Sequence, residues 1–210
     1  MSNPTIRLSL VVAMTDKAKG IGINGTLPWR LAKDLKHFAN VTTHTANPAK
    51  MNAVIMGRKT WFSIPKSFRP LPNRLNVIIS STLSDVGQLE ANPNSDASKV
   101  LIFDSFEKAV ETLSSEAYAD QIEQLYAIGG SQIFKSAIDY PRKELLHRIY
   151  LTRIFNDIEC DTFMEPEDFL DSFRKLTDIE DPGKFIVEFN TVELEPKSNL
   201  KYSFEIWERI

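Results

Sequence analysis

Cysteine is almost absent from this chain: Cys160 stands alone among 210 residues. One cysteine rules out an internal disulfide framework, and the scarcity fits a reducing compartment. Histidine is nearly as rare. The three residues, His37, His44 and His147, are scattered, so they read as surface or packing groups, and no metal is expected. No apolar run approaches the roughly 18 residues a membrane span requires. The polar stretch Met1–Arg7 lacks the apolar core of a secretory signal. Charge is never concentrated: the net charge is −3, without a block of one sign, which leaves no electrostatic footprint for nucleic acid. These absences point to a soluble intracellular globular protein. With 42% hydrophobic residues it can bury a sizeable core, and a single domain over residues 1–210 is expected.

Short apolar runs at Leu8–Met14, Asn52–Met56, Asn76–Ile79, Val100–Phe103, Leu125–Ile128 and His147–Ile154 read as buried strands. Helical spacing follows Ser105, which suits an N-cap, and helices are also expected after Gly57 and after Gly130. The tail differs. Phe185–Glu195 and Lys201–Glu208 alternate polar and apolar residues, with Pro196–Asn199 between them, as a half-exposed antiparallel hairpin does. The fold class expected is α/β, a mainly parallel twisted sheet with an antiparallel C-terminal hairpin and helices on both faces. Val41–Lys50, Leu83–Ser98 and Ser114–Glu123 read as polar connectors or exposed loops.

Glycine is sparse, 8 residues in all, so its clusters are informative. Gly20, Gly22 and Gly25 share one segment that is either a mobile lid or an ordinary turn. Gly57-Arg58-Lys59-Thr60 follows a strand and opens a helix, which makes a phosphate site or a solvated basic turn. Ser80, Ser81 and Thr82 end another strand, where hydroxyls bond a phosphate or cap a turn. Gly129-Gly130-Ser131-Gln132-Ile133 repeats the strand–glycine–helix pattern, and its glycines admit close approach to a ligand or serve a turn. In Leu27–Phe38, drawn at about 100° per residue, Leu31, Leu35 and Phe38 share a face. Lys33, Lys36 and His37 lie opposite, and Asp34 falls among the apolar residues. A carboxylate there either reaches solvent at the stripe's edge or holds a ligand that supplies donors. Thr152, a hydroxyl on an apolar run, is placed to face it.

Taken in order, Gly20-Ile21-Gly22, Leu27-Pro28-Trp29, Asp34-Leu35, Phe38, Val54–Trp61, Arg69–Arg74, Ile128-Gly129-Gly130, Thr152 and Asp161-Thr162-Phe163 resemble the dihydrofolate reductase family, especially its fungal members. The resemblance runs from about Leu8 to Ile210. It implies hydride transfer from NADPH to C6 of dihydrofolate with protonation at N5, giving tetrahydrofolate for one-carbon metabolism. By that resemblance Asp34 holds the pterin, Thr152 steadies Asp34, and Leu27 and Trp29 complete the catalytic centre. Val12, Leu35, Phe38, Ile64 and Ile128 would line the substrate pocket, and Arg74 would clamp the glutamate carboxylate. Ala13 and Ile21 would meet the nicotinamide. Gly57, Arg58, Lys59, Thr60, Ser80 and Ser81 would hold cofactor phosphates, with Gly129, Gly130, Ser131, Gln132 and Ile133 at the pyrophosphate. It further implies a cytoplasmic monomer, with a mitochondrial pool compatible, that binds antifolates but neither nucleic acid nor membrane. Two departures stand out. Asp34 replaces the Glu usual in eukaryotic members, and Ser81 replaces the Arg of many vertebrate ones. Two other readings share this fold: a catalytically silent nucleotide- or folate-binding protein, and a pteridine- or riboflavin-pathway reductase.

Overall fold

A computed structural model describes residues 6–83, 85–92, 95–179 and 185–210. Most of the polar N-terminal stretch, and parts of the loop expected at 83–98, lie outside the described residues. The chain's apolar runs become strands because a mainly parallel sheet is covered on both faces, so each run is buried from two sides. These are β1 (Arg7–Thr15), β3 (Met51–Gly57), β4 (Arg74–Ile79), β5 (Val100–Phe103), β6 (Ile122–Gly129) and β7 (Leu146–Ile154). β7, β1, β6, β3, β4 and β5 lie side by side in that order, all parallel. The chain then returns as β11 (Leu200–Arg209), antiparallel to β7, with β10 (Val192–Glu195) and β9 (Phe173–Lys175) pairing its two ends.

Four α-helices are found among the described residues. α1 (Ala32–Thr43) and α2 (Arg58–Ser63) cover one face, placing Val41 and Trp61 against Val54, Met56, Ile78 and Tyr126. α3 (Phe106–Leu113) and α4 (Ser131–Asp139) cover the other, where Phe106, Val110, Leu113, Ile133 and Phe134 meet Leu8, Leu10, Ile55 and Val77. Ser105 caps α3, its Oγ accepting from Lys108 N–H at 3.3 Å. The expected fold class is the one observed.

Several local expectations change. α1 begins after Leu31 and runs to Thr43, through residues expected to form a connector. Val41 and Thr42 are buried, and the Thr42 and Thr43 hydroxyls donate back to the Phe38 and Ala39 carbonyls, each at 2.7 Å, so polar residues continue the helix. His37, expected opposite the apolar face, is buried. Its ring packs on Phe204, Phe189 and Phe185, contributed by the tail that wraps α1 from that side. The strand expected over 185–195 is confined to β10, because Phe185 and Phe189 turn inward onto His37. Within the loop expected at 83–98, Leu89 is fully buried and its carbonyl accepts from Trp61 Nε1 at 2.8 Å. Two very short strands were not expected: β2 (Gly20–Gly22) pairs antiparallel with β8 (Thr162–Phe163).

Candidate active site

Parallel strands end together, and the loops beyond them gather the glycine turns and the helix starts. At the near end of α1, Asp34 lies in the first turn of the helix. Thr152 on β7 donates its hydroxyl to Asp34 Oδ1 at 2.6 Å, across 118 residues of sequence. Register places Thr152 between Ala13 on β1 and Phe204 on β11. Burial pushes the Asp34 carboxyl up to about 6, against the lowering effect of the Thr152 hydrogen bond. Trp29 is buried, and its Nε1 has no hydrogen-bond partner among the described residues.

The far end of the helix holds the opposite charge. Arg74 is only 4% exposed and has no carboxylate partner among the described residues. Its Nη1 donates to Thr42 Oγ1 at 2.7 Å and its Nε to the Pro72 carbonyl at 3.0 Å, with the guanidinium over the Phe38 ring. Burial pulls its pKa down to about 10. The stiff loop that presents it is clamped by Asn76, whose amide accepts from Leu71 N–H at 2.8 Å and donates to Leu71 O at 2.9 Å. At 1.5 Å per residue, Asp34 and Thr42 are about 12 Å apart along α1. Between them Leu35 is 54% exposed and Phe38 half-buried. An uncompensated acceptor, an open apolar stretch and an uncompensated buried cation thus follow one another along one helix.

A second group forms where β3 and β6 end. A Cβ built on Gly57 would meet Ile133 Cγ1 at 3.5 Å and the Gly130 nitrogen at 3.9 Å, so the two glycine turns abut. A Cβ on Gly129 or Gly130 would meet Thr60 Oγ1 at 3.7 or 3.6 Å, and Gly129 has φ +121°, a conformation that favours glycine. The Gly129–Gly130 peptide is cis. Gly130 caps α4 without a side chain. Arg58, Lys59 and Gln132 are exposed, and neither cation has an ion pair among the described residues.

The expected residues therefore fall into two neighbourhoods. Val12 and Ile21 are buried, while Ala13, Ile64 and Ile128 are half-buried beside the ends of the central strands. Leu27 is exposed at the entrance to α1. Two of the expected cofactor residues already have partners within the chain. Ser80 Oγ accepts from the Thr82 and Leu83 N–H groups at 3.2 and 3.1 Å, so its oxygen serves the turn and Ser81 is the exposed hydroxyl. Ile133 has its side chain in the core and its N–H on the Gly130 carbonyl at 2.9 Å. Thr42 was missed, for its role depends on α1 extending past Phe38. Asp161, in sequence only a member of the Asp161-Thr162-Phe163 motif, has its Oδ2 accepting from Asn24 N–H at 2.7 Å and pins the glycine segment. Cys160 packs against Gly20, where any Cβ would collide with its sulfur.

This arrangement agrees with comparisons to known proteins. A family model described as dihydrofolate reductase matches residues 7–194. A dihydrofolate reductase of Drosophila melanogaster is 38% identical over 94% of this chain and 100% of its own. A putative dihydrofolate reductase of Caenorhabditis elegans is 38% identical over 96% of each. A bifunctional dihydrofolate reductase-thymidylate synthase of Glycine max is 41% identical over 95% of this chain, which spans 33% of that longer protein. The solved dihydrofolate reductase of Schistosoma mansoni superposes with a TM-score of 0.77 at 33% identity, covering 99% of this chain and 100% of its own. These relatives come from animals and a plant, so the fungal affinity expected from the sequence is not supported. Matched from β1 into β10 by the family model, and along the full length of the Drosophila relative, the chain belongs to the dihydrofolate reductase family.

Proposed function

We propose that α1 holds dihydrofolate along its length, with the pterin at Asp34 and the glutamate carboxylate at Arg74, and that NADPH lies across the ends of β3, β4 and β6. As a member of its family the chain is an enzyme that reduces dihydrofolate to tetrahydrofolate. The observation that carries the assignment of ends is the pairing of a carboxylate near neutrality with an unpaired buried guanidinium, about 12 Å apart along a helix. A ligand with N–H donors at one end, apolar rings between and a carboxylate at the other satisfies all three parts at once. Guanidinium binds a carboxylate through two parallel hydrogen bonds, which suits Arg74.

The cofactor side fits a phosphate-bearing dinucleotide. Gly129 and Gly130 leave a cradle that a Cβ would narrow toward Thr60, and Arg58, Lys59, Ser81, Ser131 and Gln132 offer donors around it. When bound, NADPH supplies the hydride. The chain's own residues bind, orient and exclude water. Thr152 fixes one Asp34 oxygen, leaving the other for the pterin's amino and ring N–H groups. We assign Val12, Ile64 and Ile128 to an apolar wall against the substrate, and Ala13 and Ile21 to the nicotinamide side. Facing the two ligands in one orientation is worth several kcal/mol of the barrier. A carboxyl titrating at about 6 exchanges a proton near neutral pH, and we assign delivery to N5 to a water ordered by Asp34 and the unpartnered Trp29 Nε1. Asp34 in place of Glu leaves the space of one methylene for that water. The working form is a cytoplasmic monomer.

The test follows absorbance as NADPH is oxidised with dihydrofolate, beside NADH and beside dihydrobiopterin. Turnover with NADPH and dihydrofolate, and much less with either substitute, is expected. Equal turnover of dihydrobiopterin would overturn the role given to Arg74.

A further inference from the structure

On β7 successive side chains leave opposite faces of the sheet. Thr152 turns to Asp34, and Arg153 turns to the other face, where its guanidinium joins two distant elements. Its Nε and Nη2 donate to the two carboxylate oxygens of Glu205 on β11, each at 3.0 Å. Its Nη1 donates to Asp16 Oδ1 at 2.7 Å. Glu205 is 3% exposed and also accepts from Lys175 Nζ at 2.9 Å and Trp207 Nε1 at 2.8 Å. Arg153 therefore stands on a fixed base, held by a bidentate pair. Asp16 is held less firmly. It is the first residue past β1, its side chain is 40% exposed, and its N–H closes the β1–β7 ladder on the Ile154 carbonyl at 2.8 Å.

From Asp16 the chain departs for the glycine segment. Lys19 Nζ returns to the Asp16 carbonyl at 2.8 Å, and Gly20 N–H donates to Thr15 Oγ1 at 2.9 Å. At the far end Asp161 takes Asn24 N–H, and its own N–H donates to the Gly22 carbonyl at 3.0 Å. The nearby Lys17–Asp157 pair is about three-quarters exposed on both sides, so it adds little restraint.

We propose that Arg153 and Asp16 form a positioning pair for hydride transfer: the guanidinium fixes the root of the 16–25 segment and so sets how Ile21 and Gly22 meet the cofactor side of the site. The inference rests on the site reading above and concerns how its loop is held, not which groups touch the ligands. Asp16 is the informative position, because changing it leaves the Arg153–Glu205 pair intact.

The experiment compares full-length wild type, Asp16→Ala and Asp16→Asn. It measures NADPH affinity by fluorescence titration, the rate of hydride transfer in a single turnover, the dihydrofolate KM and the thermal midpoint. Loss of one partly exposed charged hydrogen bond corresponds to an effect of about three- to tenfold. Asp16→Ala is expected to weaken NADPH binding and slow hydride transfer by that much, with dihydrofolate KM changed less than about twofold and the thermal midpoint nearly unmoved. Asp16→Asn keeps an oxygen acceptor for Nη1 and is expected to recover most of the loss. The proposal is overturned if Asp16→Ala leaves both cofactor measurements at wild-type values, if KM moves as much as they do, or if Asn recovers nothing. A wild-type chain that fails to oxidise NADPH with dihydrofolate overturns the site reading instead, and NADPH affinity across the same variants still decides the Arg153 link.

Discussion

The two ionisable groups facing the open stretch of α1 are withdrawn from water and incompletely matched: Asp34, half-buried, has one hydroxyl partner, and Arg74, buried, has a hydroxyl and a carbonyl but no anion among the described residues. Where β3 and β6 end the arrangement is inverted. Arg58 and Lys59 are exposed to water, and the buried parts are glycine backbone. The two regions bear their costs differently. A buried charge without a full partner destabilises the folded chain until a ligand completes it. Exposed cations cost the fold almost nothing, and the rigidity there comes from backbone that only glycine accommodates. Substitutions along α1 should therefore trade function against stability, whereas substitutions at the glycine turns should separate into fold-breaking and affinity-only classes.

Asp34→Asn tests this contrast with the largest expected effect. Loss of a group acting in proton transfer lowers turnover by about 100-fold or more, and activity should recover in part as pH falls and solvent supplies the proton. Stability should move the other way. The folded carboxyl titrates at about 6 against an ordinary 3.8, so the folded state binds its proton more tightly than the unfolded one. The penalty for ionisation is fully present above pH 6 and disappears as pH falls from 6 toward 4. From the shift it is about 3 kcal/mol at pH 7, and Asn removes it. His37 works in the opposite sense: burial, with Lys33 adding, lowers its pKa to about 4, so stability is lost as pH falls from 6.5 toward 4. Subtracting denaturation curves of wild type and Asp34→Asn at each pH cancels the histidine. A difference that stays constant from pH 4 to 7.5 would remove Asp34 from the account.

The same contrast explains what the sequence made legible. Apolar runs buried on two faces stand out against polar loops, so the six parallel strands were found close to their ends. Thr152 was legible as a lone hydroxyl on an apolar, β-branched strand, and the glycine turns as repeats of one pattern. What stayed hidden depends on partners far along the chain. His37 is buried only because Phe189 and Phe204 fold over it. β2 and β8 are too short to show any period, and each exists through the other. Ser80 could be read as a phosphate ligand or as a turn cap, because a hydroxyl that caps a turn and one that meets a ligand are the same residue in sequence; only the fold shows its oxygen accepting from the turn.

Arg74→Leu should have the next largest effect. A hydrogen bond to a charged group is worth about 1.5–3 kcal/mol, so dihydrofolate KM should rise about 10- to 100-fold. Glutamate-bearing antifolates should lose a similar factor, while small lipophilic inhibitors without that carboxylate keep their affinity. Because the guanidinium is buried without an anion among the described residues, the free protein should lose little stability, although Thr42 loses a donor. Equal losses for both inhibitor classes would place the carboxylate elsewhere. Gly129→Ala breaks the other region. At φ +121° a Cβ is strained, which costs about 1–3 kcal/mol, so the unfolding midpoint should fall and NADPH affinity with it. An unchanged midpoint would mean that the turn relaxes and that the backbone there is not rigid.

Arg58→Ala should have the smallest effect and draw the sharpest line between the two regions. Arg58 is exposed and without an ion pair among the described residues, so nothing in the fold depends on it and the unfolding midpoint should stay where it is. Ser81 offers a hydroxyl but no charge, so on the proposed reading an added phosphate on the adenosine ribose leans on Arg58. An exposed charge pair contributes about 0.2–1 kcal/mol, and NADPH affinity should fall by up to about fivefold. NADH affinity should not change, since the phosphate is the only group that tells the two apart. The difference should shrink as salt rises, because screening at about 8 Å in physiological salt already weakens an exposed contact. Ser81→Arg should act in reverse, raising NADPH affinity while leaving NADH alone. If Arg58→Ala weakens both cofactors equally, the residue holds the shared pyrophosphate, and the preference for the phosphorylated cofactor then falls to Lys59 and the Ser81 hydroxyl.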